Sequence, residues 1–273
     1  MSPLVEDLID LLLRRGWVEV FPLVIVAIVR PLGLLYGCSF FSWGLGSAGF
    51  LRTIIALWLG LPILAAHLDT FEALLVGDGV ARLAWIVLIE FAIGLCIGLI
   101  ASLPFFALQY AGAITDQFRG ESDSGLHSPT GGQITTFGNL YIVVLILVFI
   151  QSDGISHLIR WLYESSVAIP LAAGLPAING DALSFVVTAF RDSLELAVRV
   201  ALPLLVVLGV VEALVSIGAR LAQRYSVYNL AFASKNLAAI ALLPFLVMYV
   251  WQFSDEAIVP FFLDQSVPKA FGP

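Results

Sequence analysis

Charge is scarce in this sequence. Of its 273 residues only 12% are Asp, Glu, Lys or Arg, and only two of the 13 cations are lysine, Lys235 and Lys269. An ordinary soluble domain carries about a quarter charged residues. Too little polar surface is left here to cover a water-facing globule, which excludes a soluble enzyme, a disordered region and a basic nucleic-acid-binding face. Cysteine is scarcer still: Cys38 and Cys96 stand alone in apolar context, with no CxxC, and read as small core residues. The three histidines, His67, His127 and His157, are far apart and share no metal-ligand spacing. The Gly-rich run Ser128–Gly132 lacks the Gly-Lys-Ser/Thr ending of a phosphate loop. Gly44, Gly46 and Gly49 follow no strand, so they mark a turn between helices. The acidic residues Asp192 and Glu195 lie beside arginines, which suits ion pairs better than acid–base chemistry. No catalytic set, metal or cofactor is expected.

Apolar residues dominate instead, at 60%, with a net charge of −7 and a mean hydropathy of +1.00. A spanning helix wants about 20 apolar residues, and most runs here are shorter. The run 20–29 meets Arg30-Pro31, the run 53–66 carries Pro62, and the run 137–150 ends at Gln151-Ser152-Asp153-Gly154. The run 83–103 is long but holds Glu90 and meets Pro104. The run 185–217 holds Arg191, Asp192, Glu195, Arg199 and Glu212, and the run 237–253 carries Pro244. The pattern predicts an all-α, polytopic membrane protein with six to eight helices, several broken by Pro or Gly.

Two four-residue periods stand out. Arg191, Glu195 and Arg199 share one helix face with alternating sign. An ionisable side chain at the bilayer centre costs roughly 2.5–3.5 kcal/mol, so this face meets protein or water, either as an intrahelical ion ladder or as a buried interface. Glu90, Gly94, Gly98 and Ser102 form a small-residue stripe that lets another backbone approach closely. It serves either packing within the chain or a subunit contact.

Two polar interruptions divide the chain. The larger is 115–136, with Gly120, Gly125, Gly131, Gly132 and Pro129, too polar to cross lipid. A loop of this length is functional or disordered. The smaller, 169–181, separates a longer N-terminal part from a C-terminal helical pair.

The segment 101–141 holds Ser102-Leu103-Pro104-Phe105, Ala111-Gly112, Asp116 to Gly120, and Pro129-Thr130-Gly131. In that order and spacing it resembles the signature of the T subunit of the type III secretion export apparatus, the SctT/SpaR/FliR family. Phe118, standing between Gln117 and Arg119, departs from the family pattern. Arg30-Pro31-Leu32-Gly33 and Leu51-Arg52 are similar to the family's N-terminal helices. Arg220 to Val227, Leu230-Ala231-Phe232 and Lys235 are similar to its C-terminal segment, and the loop and Leu230-Ala231-Phe232 lean toward the non-flagellar branch.

The resemblance implies one of three small apolar subunits of a helical export gate in, or raised just above, the bacterial inner membrane. It implies an R-like part, 1–175, and an S-like hairpin and tail, 176–273. It also implies R-type and S-type partners, contacts with the U-type switch protein and the V-type export ring, unfolded proteins in transit, and contact with membrane lipid. The loop residues Asp116, Gln117, Phe118, Arg119, Gly120, Pro129, Thr130, Gly131 and Gly132 would plug the channel. Arg30, Glu90, Gly94, Gly98, Arg191, Glu195, Arg199 and Lys235 would be buried charges and interface positions. The rival to a plug is a surface loop. The rival to a gate subunit is an autonomous secondary transporter of a small solute, which should show inverted repeats and spanning-length segments.

Overall fold

A computed structural model describes residues 17–46, 48–66, 80–120, 126–127, 133–171, 180–221 and 227–264. Among these residues the chain forms eight helices and one two-residue strand pair. The helices are α1 (Trp17–Gly37), α2 (Ser39–Leu45), α3 (Gly49–Ala66), α4 (Val80–Arg119), α5 (Thr136–Gln151), α6 (Gly154–Ala168), α7 (Gly180–Leu221) and α8 (Val227–Asp264). The strands β1 (Leu126–His127) and β2 (Gln133–Ile134) pair antiparallel, Leu126 opposite Ile134 and His127 opposite Gln133.

Pro31 and Pro104, expected from the sequence to end their helices, do not. α1 continues through Pro22 and Pro31 to Gly37, and α4 continues through Pro104 to Arg119. A proline removes one backbone hydrogen bond and costs about 3 kcal/mol inside a helix. Unwinding the segment in apolar surroundings would free several backbone groups at once, at several kcal/mol each, so the helix persists. α4 is 40 residues long, about 60 Å at 1.5 Å per residue, twice the bilayer's hydrocarbon core of about 30 Å.

Four helices hold stretches apolar and long enough to cross a membrane: Gly49–Ala66, Ala81–Arg119, Val186–Gly218 and Ala231–Gln252. Two pairs, α1 with α2 and α5 with α6, meet the same standard together across a short break, for up to six among the described residues. The protein is a polytopic helical membrane protein.

The chain divides into two compact units, neither of them contiguous. One comprises Met1–Ser102, Ile155–Val187 and Phe262–Pro273; the other comprises Leu103–Gly154 and Thr188–Phe261.

In the first unit, α3 lies along α1, with a Cβ at Gly60 only 2.9 Å from the Ala27 carbonyl oxygen. Its inner face buries Ala56, Leu59, Ile63 and Leu64, while Phe50, Ile54 and Trp58 on the other face are exposed. Beyond Arg52 and Thr53 both faces of α3 are apolar, which suits a helix with protein on one side and lipid or a partner on the other.

Candidate functional site

In the first unit the small-residue stripe of α4 lies against α1. A Cβ at Gly94 would collide with the Arg30 carbonyl, and one at Gly98 would stand 2.6 Å from Leu34 O and 2.8 Å from Cys38 N. On the α1 side, a Cβ at Gly37 would stand 2.6 Å from Leu95 O. Only glycine permits backbones this close. The stripe therefore serves a contact within the chain.

The close approach brings Arg30 and Glu90 together. Both are buried, at 0% and 2% exposure, and Arg30 Nε donates to Glu90 Oε2 at 2.7 Å. Arg30 Nη2 donates to the Ile169 carbonyl at 3.1 Å, just past the last residue of α6. A cation suits that position, because the last carbonyls of a helix lack partners and carry partial negative charge. One guanidinium thus joins α1, α4 and the end of α6.

Ser102 closes the same seam at its other end. Extended Cys38 separates α1 from α2, which turns away by 85°. The break would strand backbone groups in apolar surroundings. The Ser102 hydroxyl accepts from Ser39 N at 2.6 Å and offers its proton to Gly98 O or Gly37 O, 2.8 and 2.9 Å away. Beyond α2, Arg52 is also buried. It donates to Gly46 O at 2.6 Å and lies 4.8 Å from the centroid of the Tyr36 ring, holding the turn where Gly46 adopts φ +54°.

In the second unit the root of the polar loop is ordered by ions. Residues 115–119, expected to be loop, are the last turn of α4, and the loop starts at Gly120, whose φ is +89°. Thr115 and Asp116 are polar but wholly buried, so the helix keeps them because each has a partner inside. Thr115 Oγ1 donates to Ala111 O at 3.0 Å. Asp116 pairs with Arg119 at 2.8 Å, and its Oδ2 accepts from Phe137 N at 2.7 Å in the first turn of α5. Thr135 caps that helix, accepting from Gly138 N at 3.3 Å. The carboxylate therefore completes the N-terminus of α5, where negative charge is favoured. Arg119 also lies over the Phe137 ring, 4.6 Å from its centroid. Gln117 and Phe118 are exposed on the same turn. Pro129, Thr130, Gly131 and Gly132 lie outside the described residues.

Lys235 on α8 is half-buried. Its Nζ lies 3.0 Å from Glu212 Oε2 of α7 and donates to Phe118 O at 3.1 Å.

Arg191, Glu195 and Arg199 are all exposed on α7 in the chain by itself. Glu195 and Arg199 pair with each other, with side chains 48% and 61% exposed. Four-residue spacing sets a shared face but not whether that face is covered; the three side chains are exposed, while Tyr249 Oη of α8 donates to the Arg199 carbonyl at 3.3 Å.

No group of three His, Cys, Asp or Glu among the described residues is placed to hold a metal ion. The polar side chains join helix ends and close helix seams. Sequence reasoning missed three of these contacts: the Arg30–Glu90 pairing, the Asp116 bond to α5, and the Arg52 clamp. Each joins positions without a shared local period.

The class so defined is a multi-helix membrane protein whose buried ions serve its helix packing. Residues 21–260 match the profile of a family described as "Bacterial export proteins, family 1", and the chain belongs to that family. "Yop proteins translocation protein T" of Yersinia pestis is 30% identical over 171 residues, 62% of this chain. The match spans 66% of the Yersinia protein, just under two thirds of its length. "Secretion system apparatus protein SsaT" of Salmonella typhimurium is 26% identical over 221 residues, 80% of this chain and 84% of that protein. "Flagellar biosynthetic protein FliR" of Bacillus subtilis is 27% identical over 157 residues, 56% of this chain and 60% of that protein. The family expected from the residues around Asp116 is the one found.

Proposed function

We propose that this chain is a non-enzymatic subunit of a type III protein-export gate in the bacterial inner membrane. It forms part of the channel entrance for unfolded protein substrates. Family membership and the names of the relatives, which speak of translocation, a secretion apparatus and flagellar biosynthesis, support the reading.

The observation that carries it is on α7. Arg191, Glu195 and Arg199 are exposed inside the apolar stretch Val186–Gly218. Facing lipid, each would cost roughly 2.5–3.5 kcal/mol at mid-depth. An assembly removes that cost by covering the face with polar groups of a neighbour or with a water-filled channel. R-type and S-type subunits are the partners proposed, with the U-type and V-type components beyond them. In this reading 1–175 plays an R-like role and 176–273 an S-like one. An autonomous solute transporter gains nothing from the relatives.

The loop after Gly120 is the proposed plug. Its root supports that role: Asp116, Arg119 and the Phe137 amide fix where the loop leaves and re-enters the helices.

Two experiments test the reading. Joint expression with R-type and S-type subunits should yield a stable complex; a well-behaved monomer without affinity for them would overturn the gate assignment. Removal of Glu121–Leu126 should raise ion leakage across the inner membrane while assembly persists. An assembled deletion variant no leakier than wild type returns the loop to a surface linker.

A further inference from the structure

We propose that Lys235 is a coupling residue: it clamps the α7–α8 hairpin to the C-terminal end of α4, so that displacement of the hairpin reaches the start of α5. Three contacts carry the inference, all in the second unit. The Lys235 ammonium is held by Glu212 of α7 at 3.0 Å and donates to Phe118 O at 3.1 Å. Phe118 O is one of the last four carbonyls of α4, which have no partner within their own helix. A cation there also meets the negative end of the helix dipole. Phe232, one turn before Lys235 on the same face of α8, abuts Gly120. A Cβ built on that glycine would stand 3.5 Å from the ring.

The end of α4 is therefore held from two directions. On one side Lys235 and Phe232 grip Phe118 O and Gly120. On the other, Asp116 accepts from the Phe137 amide and pairs with Arg119. Phe118 and Asp116 lie two residues apart on one helical turn, so a shift that breaks the first grip moves the second. The path runs Glu212, Lys235, Phe118, Asp116, Phe137, through contacts of 3.1 Å or less joined by a single turn of helix. Its meaning for export rests on reading the loop as a plug; the coupling itself does not.

Amide hydrogen exchange of the full-length chain, purified with whatever partners it retains, tests the proposal in wild type, Lys235→Met, Lys235→Arg and Glu212→Gln. The reporters are the Gly120 amide, bonded to Gln117 O at 3.0 Å, and the Phe137 amide. In Lys235→Met, Gly120 exchange should rise by about ten- to a hundredfold, the range expected for one lost charge-assisted hydrogen bond. Phe137 exchange should rise in the same direction while residues 240–250 of α8 stay protected. Lys235→Arg should remain near wild type, and Glu212→Gln should fall between. Unchanged exchange at Gly120 and Phe137, or faster exchange spread evenly along α7 and α8, would overturn the coupling. Ion leakage in cells reads the plug separately. Faster exchange at both reporters without leakage keeps the coupling and discards the plug.

Discussion

Replacing Glu90 with alanine tests the packing of the first unit most severely. Arg30 is wholly buried, and its guanidinium has one anionic partner among its recorded contacts, Glu90 at 2.7 Å. Breaking a buried ion pair by removing one partner costs about 3–5 kcal/mol, because a buried charge is left uncompensated. Total stabilities of about 5–15 kcal/mol make that a large fraction. Arg30→Met should cost less than Glu90→Ala. A carboxyl can take up a proton when its partner is lost, whereas a guanidinium cannot give one up. The methionine variant still loses the bond to Ile169 O, so some destabilisation remains, about 1–3 kcal/mol for a carbonyl left without its donor. The double replacement Arg30→Met with Glu90→Leu should recover most of the loss, since apolar groups of similar size can replace a buried pair at little cost.

The assay is a double-mutant cycle on the full-length chain in detergent, with unfolding followed by circular dichroism as denaturing detergent is raised. The cycle isolates the pair provided each single change adds no new contact. Glu90→Ala within about 1 kcal/mol of wild type, the range of an exposed pair, would refute the reasoning and mean that water reaches this seam. A double variant no better than Glu90→Ala would place the importance of Glu90 in contacts other than Arg30.

Gly94→Ala should destabilise the chain by about 1–3 kcal/mol in the same assay, because its Cβ meets the backbone of Arg30 and Leu34, and overpacking outweighs the helix-forming gain of alanine. Gly209→Ala, with nothing within 4 Å, should instead be neutral or stabilising by under about 1 kcal/mol; equal effects at the two positions would sink the close-approach argument. Glu195→Ala should change the stability of the isolated chain by less than about 1 kcal/mol, yet lower the yield of complex on joint expression; a loss of several kcal/mol in the chain alone would mean that α7 packs differently.

Local periodicity carried much of the fold. The apolar runs located the helices, and the four-residue spacing of Gly94, Gly98 and Ser102 identified a close-packed seam, because helix geometry repeats on that scale. Partner identity did not follow from it. Arg30 and Glu90 lie 60 residues apart, and Asp116 and Phe137 lie 21 apart, so neither pairing leaves a local trace. Pro31 and Pro104 misled for an energetic reason: proline propensity is a weak prior beside the cost of unpaired backbone in apolar surroundings. The extra turn at Thr115–Arg119 was hidden because polar side chains read as loop, although Thr115, Asp116 and Arg119 are buried against partners here. Alternating charge at Arg191, Glu195 and Arg199 revealed a shared face, but its exposure depends on what packs against it.

The distribution of polar cost along the chain argues for where assembly completes it. Arg30, Glu90, Asp116 and Arg119 are buried with opposite charges beside them, so their desolvation is offset within the chain. α7 and α8 differ. Over half of the apolar stretch of α4 is buried, against about a fifth for α7 and less than that for α8. Lipid could cover the exposed valines and leucines of α7 at no cost, since tails are as apolar as side chains. It could not cover Arg191, Glu195 and Arg199 on the same helix without a penalty for each. Wherever that face lies at bilayer depth, a second solvent is needed along the same helix. On the export-gate reading the second is a neighbouring subunit or the channel water. α7 is accordingly the helix whose surroundings should change most when partners bind, and Glu195 the residue on which that change is best read.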